Sequence, residues 1–155
     1  MTNGCIITVT RSYKVTDEAG NMATCTQTIT VGDTTPPSIT CPLDATVECF
    51  AAVPAANVGD ATALDNCGSM TKSHVGDAYA TNGCIITIAR TYRATDACGN
   101  TNDCTQVITV QDTTPPSISC PLNATVECIG DVPPANVGDV TELDNCGSVT
   151  KSHVG

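Results

Sequence analysis

The sequence predicts an all-β chain of tandem β-sandwich modules, stapled by disulfides and repeating every 79 residues. Three observations predict it. The first is self-similarity: Thr-Asn-Gly-Cys at 2–5 recurs at 81–84, Asp-Thr-Thr-Pro-Pro at 33–37 recurs at 112–116, and Leu-Asp-Asn-Cys-Gly at 64–68 recurs at 143–147. About 70% of the paired positions are identical and the register never slips. The second is local pattern. Thr, Val and Ile alternate between clusters of Gly, Pro, Asn and Asp, the mark of short strands and tight turns, and no segment sustains a helical period. The third is cysteine: eleven in 155 residues. Cysteine this dense in a small-cored chain reads as a disulfide frame made in an oxidising compartment.

The elements follow in chain order. The prolines of 33–37 cannot donate to a β-ladder and hold the chain extended, so a module boundary falls there and again at 112–116. Strands are expected at 38–41, at 45–50 after a Pro-Leu-Asp turn, at 60–64 and at 70–74. The longest is expected at 84–95, followed by a turn at 97–102 and a last strand at 104–111. One complete module then spans 33–111. Residues 1–32 read as the C-terminal half of a preceding module, and 112–155 as the N-terminal half of the next. No signal peptide opens the sequence, and a mature fragment of something longer is expected. Two closures of the half-modules stay open: one continuous array, or complementation between neighbouring chains.

Composition narrows function. A module of this size buries only about 60% of its unfolded surface. There is no Trp, one Phe (Phe50) and three Tyr (Tyr13, Tyr79 and Tyr92), so disulfides must supply much of the stability. Structural zinc is the rival use of cysteine, but no C-x2-C pair exists and only His74 and His153 are available to assist. The net charge is −10 with six basic residues, which argues against nucleic acid and anionic membranes and favours divalent cations. No run approaches the ~20 apolar residues of a membrane span. Catalysis finds no support: no G-x-S-x-G, H-E-x-x-H, Walker loop or dinucleotide fingerprint is present.

The ordered set D-T-T-P-P-S-I-x-C-P, A-T-V-E-C, L-D-N-C-G, R-T-Y-x-A-T-D-x-C-G-N and C-T-Q-x-I-T-V resembles the hyalin-repeat (HYR, HYR-like) family. The likeness covers the complete module and both halves. It implies immunoglobulin-like β-sandwich modules, set in tandem in extracellular proteins. The Cys-rich form is similar to repeats of long bacterial surface proteins. It also implies adhesion or scaffolding without enzymatic activity, and a bond between Cys41 and Cys104, which match the pair shared widely in the family. Six cysteines of a module permit fifteen pairings. For the other four the preferred pairs are Cys67–Cys98, joining turns that a sandwich brings to one pole, and Cys49–Cys84, the remainder. Ala19 stands where the repeat has Cys98, and eleven is odd, so a free thiol or an intermolecular bridge is one expectation and a plain lapse in one repeat the other.

In such a module the incoming linker and two turns share one pole. That gathers Asp33, Asp65, Asn66, Asp96 and Asn100, hard oxygen donors suited to calcium rather than zinc. The next pole would use Asp112, Asp144 and Asn145, with the equivalents of Asp17 and Asn21 from the next copy. The plain alternative is that Asp and Asn simply make turns; Asp60 and Asp139 read the same way. Arg90 lies in phase with Tyr92, Ala94 and Asp96 on one strand face, with Glu48 or Asp96 as candidate partners. His74 reads as structural. Asp-Thr-Thr resembles a bacterial O-glycosylation signal, making Thr34 and Thr113 candidate acceptors, and Asn123 opens an N-glycosylation sequon. The expected function is a structural repeat of an extracellular fibre or surface filament, partnered by like modules in the same or neighbouring chains. A ligand-binding adhesin repeat and a spacer in a large secreted enzyme are the alternatives.

Overall fold

A computed structural model describes residues 2, 3 and 5–155, with side chains from residue 5 onward. The chain forms two units. The first holds Met1–Leu43, Ala56–Asp77 and Ala89–Gln106; the second holds Asp44–Ala55, Ala78–Ile88 and Val107–Gly155. Strands dominate both, and among the described residues the helical pieces are three-residue 3-10 turns. The chain is all-β, built as disulfide-stapled β-sandwich modules of immunoglobulin-like type.

β1 (Thr2–Asn3), β2 (Ile6–Thr16) and β3 (Met22–Gly32) make one sheet in the order β1-β2-β3. β2 and β3 pair antiparallel along their whole length, from Ile6↔Gly32 to Thr16↔Met22. After the Pro36-Pro37 linker come β4 (Ser38–Thr40), β5 (Ala45–Val47), β6 (Thr62–Leu64), β7 (Met70–Asn82), β8 (Ile85–Asp96) and β9 (Thr101–Gln111). β4 pairs antiparallel with β6 in one sheet; the other has the order β5-β9-β8-β7, with β5 parallel to β9. The segment between β4 and β5 therefore changes sheets. It is pinned on both sides of the change: Gln106 Nε2 donates to the Leu43 carbonyl at 2.7 Å, and the Val107 N–H donates to Asp44 Oδ1 at 2.7 Å. β10 (Ser117–Ser119) and β11 (Thr141–Leu143) close the chain and repeat the β4–β6 register residue for residue, Ser117↔Leu143 matching Ser38↔Leu64.

β8 shows why the pattern folds this way. Alternate residues Ile88, Arg90, Tyr92, Ala94 and Asp96 are buried, and their neighbours are not. In the first unit Tyr92, Ala94, Ala61 and Pro37 are buried with Arg90, Asp96 and Gln106. In the second, Ile88, Ile108 and Val110 form a cluster packed by Ala45, Val47, Val53 and Ile86. The same residue types in β2 lie open. Tyr13 is 50% exposed where Tyr92 is 2%, and Val15 is 69% exposed where Ala94 is 0%.

The expected strand at 70–74 is too short. β7 runs on through Gly76 and Asp77 to Asn82, and the Asp77 carboxylate is bonded to Arg90 of β8. The expected strand at 45–50 stops at Val47. Phe50–Ala52 is a 3-10 turn, closed by the Val53 N–H on the Phe50 carbonyl at 3.1 Å. β9 begins at Thr101, because the preceding turn closes early, between the Asp96 N–H and the Asn100 carbonyl.

Candidate metal centre and disulfide frame

Three aspartates of the first unit meet: Asp33 in the linker before β4, Asp65 just after β6, and Asp96 at the end of β8. One carboxylate oxygen from each lies within 4.8 Å of the others. Local turn chemistry fixes each. Asp33 Oδ1 accepts the Thr35 N–H at 3.1 Å, and Asp65 Oδ2 accepts the Cys67 N–H at 2.9 Å. Asp96 Oδ1 accepts the N–H groups of Cys98 and Asn100 at 2.8 and 2.9 Å, and its Oδ2 accepts from Asn100 Nδ2 at 2.8 Å. Gly99, at φ +87°, allows the hairpin to close over this carboxylate. Burial pushes Asp96 up, but these donors outweigh it and hold the carboxyl below its usual range. Asp65 Oδ1 is the odd atom: buried, and without a hydrogen-bond partner among the described residues.

The amides behave differently from the sequence expectation. Asn100 turns its nitrogen, not its oxygen, to the acids, donating to Asp96 Oδ2 and, at 3.3 Å, to the Asp33 carbonyl. An amide N–H beside an anion is the favourable orientation, and it makes Asn100 a brace for Asp96. Asn66 is exposed and donates to Cys67 Sγ at 3.1 Å. Asp112 and Asp144 repeat the turn bonds of Asp33 and Asp65, accepting the N–H groups of Thr114 and Cys146, both at 3.0 Å. Asp17 repeats those of Asp96: the Asn21 N–H and Nδ2 both reach it at 2.7 Å, which holds its carboxyl low. Asn21 and Asn145 are exposed. Among the described residues only Asp33, Asp65 and Asp96 gather as a group of three. Asp60 and Asp139 are turn residues, receiving Asn57 Nδ2 and Asn136 Nδ2 at 2.9 Å.

Thr34 is exposed. Thr113 is engaged: its N–H and Oγ1 both donate to the Glu48 carboxylate at 2.7 Å, and these bonds lower the Glu48 pKa. Among the described residues the ion-pair partner of Arg90 is Asp77 rather than Glu48 or Asp96. Its Nε and Nη2 form a fork on Asp77, with Nη2–Oδ2 at 2.9 Å, and His74 Nε2 meets Asp77 Oδ1 at 2.8 Å while its ring tilts against Tyr92. Asp77 lies past the end of the strand expected at 70–74 and was not among the candidate partners.

The disulfide frame corrects the expected pairing. Cys41 is bonded to Cys104, but Cys98 is bonded to Cys5 rather than Cys67, and Cys49 to Cys146 rather than Cys84. Cys67 and Cys84 are thiols, as are Cys25, Cys120 and Cys128. The expectation failed because it took each module as self-contained. Cys5 and Cys98 belong to successive copies of the repeat, and so do Cys49 and Cys146. The Cys67 thiol is pushed up by desolvation and by the charges of Asp33, Asp65 and Asp96.

Residues 37–110 match the family described as "HYR-like domain with 4 cysteines". The chain is also similar to "Sushi, von Willebrand factor type A, EGF and pentraxin domain-containing protein 1" of Rattus norvegicus, 32% identical over 143 residues. The protein of the same name from Mus musculus is likewise 32% identical over 143 residues. In both cases 87% of this chain is covered but only 4% of the relative, so the chain spans a small fraction of the curated proteins it matches. No solved structure matches it. Among the described residues no helix is long and apolar enough to cross a membrane. HYR-like domains are a non-enzymatic module type, and residues 37–110 of this chain, just under half of it, are similar to that family.

Proposed function

We propose that the chain is a structural segment of an extracellular fibre or surface filament, built from like repeats, stiffened by disulfides and by calcium at the poles. The observation that carries this reading is the pair of bonds Cys5–Cys98 and Cys49–Cys146, each tying one copy of the repeat to the next. A hinge between small modules needs such ties, because two short Pro-rich linkers leave little buried area to hold modules in line. Disulfides placed this way belong to an oxidising, extracellular setting.

The acidic triad suits the second part of the proposal. Oxygens on one calcium ion sit about 2.4 Å from it, so no two are farther apart than about 4.8 Å, and the three carboxylate oxygens here lie within that limit of one another. Among the described residues Asp65 Oδ1 lacks any other partner, and no imidazole joins the set to favour zinc. Asp33, Asp65 and Asp96 would hold the ion, with Asn100 bracing Asp96. Bound calcium would cancel the repulsion among three close carboxylates and fix the linker to both turns. The next pole would use Asp112, Asp144 and Asn145 with Asp17 and Asn21 of the following copy. Thr34, exposed in the linker, is the better placed of the two proposed sugar acceptors, since the Thr113 hydroxyl is already bonded.

Calcium titration against a chelator, read by calorimetry and thermal unfolding, tests the ion. At a concentration 100 times its Kd, calcium should add about 2.7 kcal/mol of stability. Asp65→Asn should abolish that gain while leaving the apo protein folded. Unfolding that ignores both millimolar calcium and reductant would defeat the proposal.

A further inference from the structure

One disulfide is built into the acidic triad. Cys5 precedes Ile6, and Ile6 pairs with Gly32, the last residue of β3 and the one before Asp33. A Cβ placed on Gly32 would lie 3.9 Å from the Cys5 carbonyl oxygen. On the other side, the Cys98 N–H donates to Asp96 Oδ1 at 2.8 Å. The Cys5–Cys98 bond therefore joins the two pieces of chain that carry Asp33 and Asp96. Cys5, Asp33, Asp65, Asp96 and Cys98 all belong to the first unit. An ion held by the three aspartates would join the same two pieces a second time.

The bond is not needed to shape its hairpin. Residues 17–21 repeat the hairpin of 96–100 with Ala19 in place of Cys98. That hairpin closes all the same: the Asp17 N–H reaches the Asn21 carbonyl at 2.9 Å, and the Asn21 N–H and Nδ2 each reach the Asp17 carboxylate at 2.7 Å. What the sulfur bridge adds at 96–100 is position. It holds Asp96 against the ladder end from which Asp33 leaves, beside a longer hydrogen bond from Asn100 Nδ2 to the Asp33 carbonyl at 3.3 Å. It does so against charge, because three carboxylates whose oxygens lie within 4.8 Å repel one another. Without a cation, opening the bridge lets Asp33 and Asp96 separate and relieves the repulsion. With a cation between them, opening it breaks contacts to the ion. Both effects act in one direction.

We propose that calcium and the Cys5–Cys98 bond are coupled: the oxidised chain binds the ion more tightly, and the bound ion protects this bond from thiol reductants. This rests on the calcium reading of the acidic triad and adds its regulation. By linkage each effect equals the other in size. Such couplings are typically about 5–150-fold, and about tenfold is expected here. The redox step is thiol–disulfide exchange. One glutathione thiolate attacks the bond and forms a mixed disulfide, and a second displaces it. The products are the thiols of Cys5 and Cys98 and one oxidised glutathione, the two glutathione protons passing to the released sulfurs.

The test has two arms, both on the 155-residue chain. In the first, calorimetry titrates calcium into the oxidised protein, into Cys5→Ser with Cys98→Ser, and into Cys49→Ser with Cys146→Ser as a control from the second unit. Affinity should fall about tenfold in the first double variant and hold in the second. The other arm needs no cysteine variant. The wild type equilibrates in glutathione buffers with calcium or with chelator, and alkylation followed by mass spectrometry reads each bond. Calcium should raise about tenfold the ratio of squared reduced to oxidised glutathione that half-reduces Cys5–Cys98, and leave Cys49–Cys146 unmoved. Asp65→Asn should remove the shift. Calcium that binds equally well with and without the bond, or a reduction midpoint that ignores bound calcium, overturns the coupling and leaves the calcium site standing. An equal shift of both bonds overturns it too, since that reports general stabilisation. A wild type that binds no calcium in the first arm overturns the site and the coupling together.

Discussion

Tyr13 and Tyr92 are the same residue at the same place in the repeat, and they offer a controlled comparison. Tyr92 is 2% exposed and packs against His74; Tyr13 is 50% exposed and donates its hydroxyl to Gln27 Oε1 at 3.1 Å. A tyrosine buries about 200 Å² when enclosed. At about 25 cal/mol per Å², that is roughly 5 kcal/mol for Tyr92 and half as much for Tyr13. Both are upper figures, since unfolded chains already bury part of this area. Tyr92→Ala should therefore cost about 2 kcal/mol more than Tyr13→Ala in the dilute, oxidised monomer, with the cavity left at position 92 adding to the gap. Urea unfolding followed by far-UV circular dichroism measures both. Equal costs would refute the claim that Tyr92 is enclosed while Tyr13 lies open.

Removing the Cys41–Cys104 bond by a double Ser substitution frees a separation of 63 residues and should cost about 4 kcal/mol in the chain-entropy model, read as a lower urea midpoint. Asp77→Ala removes the carboxylate that pairs with Arg90, which is 5% exposed, and should cost about 3 kcal/mol; Asp77→Ala with Arg90→Met should recover most of it. Hydrogen bonds from Arg90 outweigh burial and, with His74, hold the Asp77 carboxyl below its usual value of 3.8. Its folded pKa being lowered, the stability it contributes is full above about pH 4 and is lost as pH falls through the lower folded value. Unfolding measured between about pH 6 and pH 2 should show this acid-side loss in the wild type, and less of it in Asp77→Asn.

The alternation of β8 could be read directly, because Arg90, Tyr92, Ala94 and Asp96 keep a period of two and a period of two has one meaning in a half-buried strand. The three aspartates could be read as well, since each opens a turn at a position the repeat marks twice. What could not be read was anything that depended on where one copy ends and another acts. Cys98 shares its own module with several other cysteines, and sequence distance ranks none of them as a partner; its actual partner, Cys5, lies 93 residues back in another copy. Asp77 was missed because the strand was expected to end at His74, and only the neighbouring strand shows that it is a counter-ion. Asn100 was placed correctly but with the wrong end of its amide forward, because composition names a donor-acceptor group without orienting it.

The disulfides also set a length. Along covalent bonds, the shortest way from Cys5 to Gly155 crosses to Cys98, follows the chain to Cys104, crosses to Cys41, follows it to Cys49, and crosses to Cys146. That path holds about 23 backbone steps, so pulling on the oxidised chain extends it to roughly 100 Å even after every strand has come apart; reduced, it would reach roughly 540 Å. Tension on such a strand is carried by covalent shortcuts rather than by the β-sheets. A tether made this way yields to a reducing agent long before it yields to load.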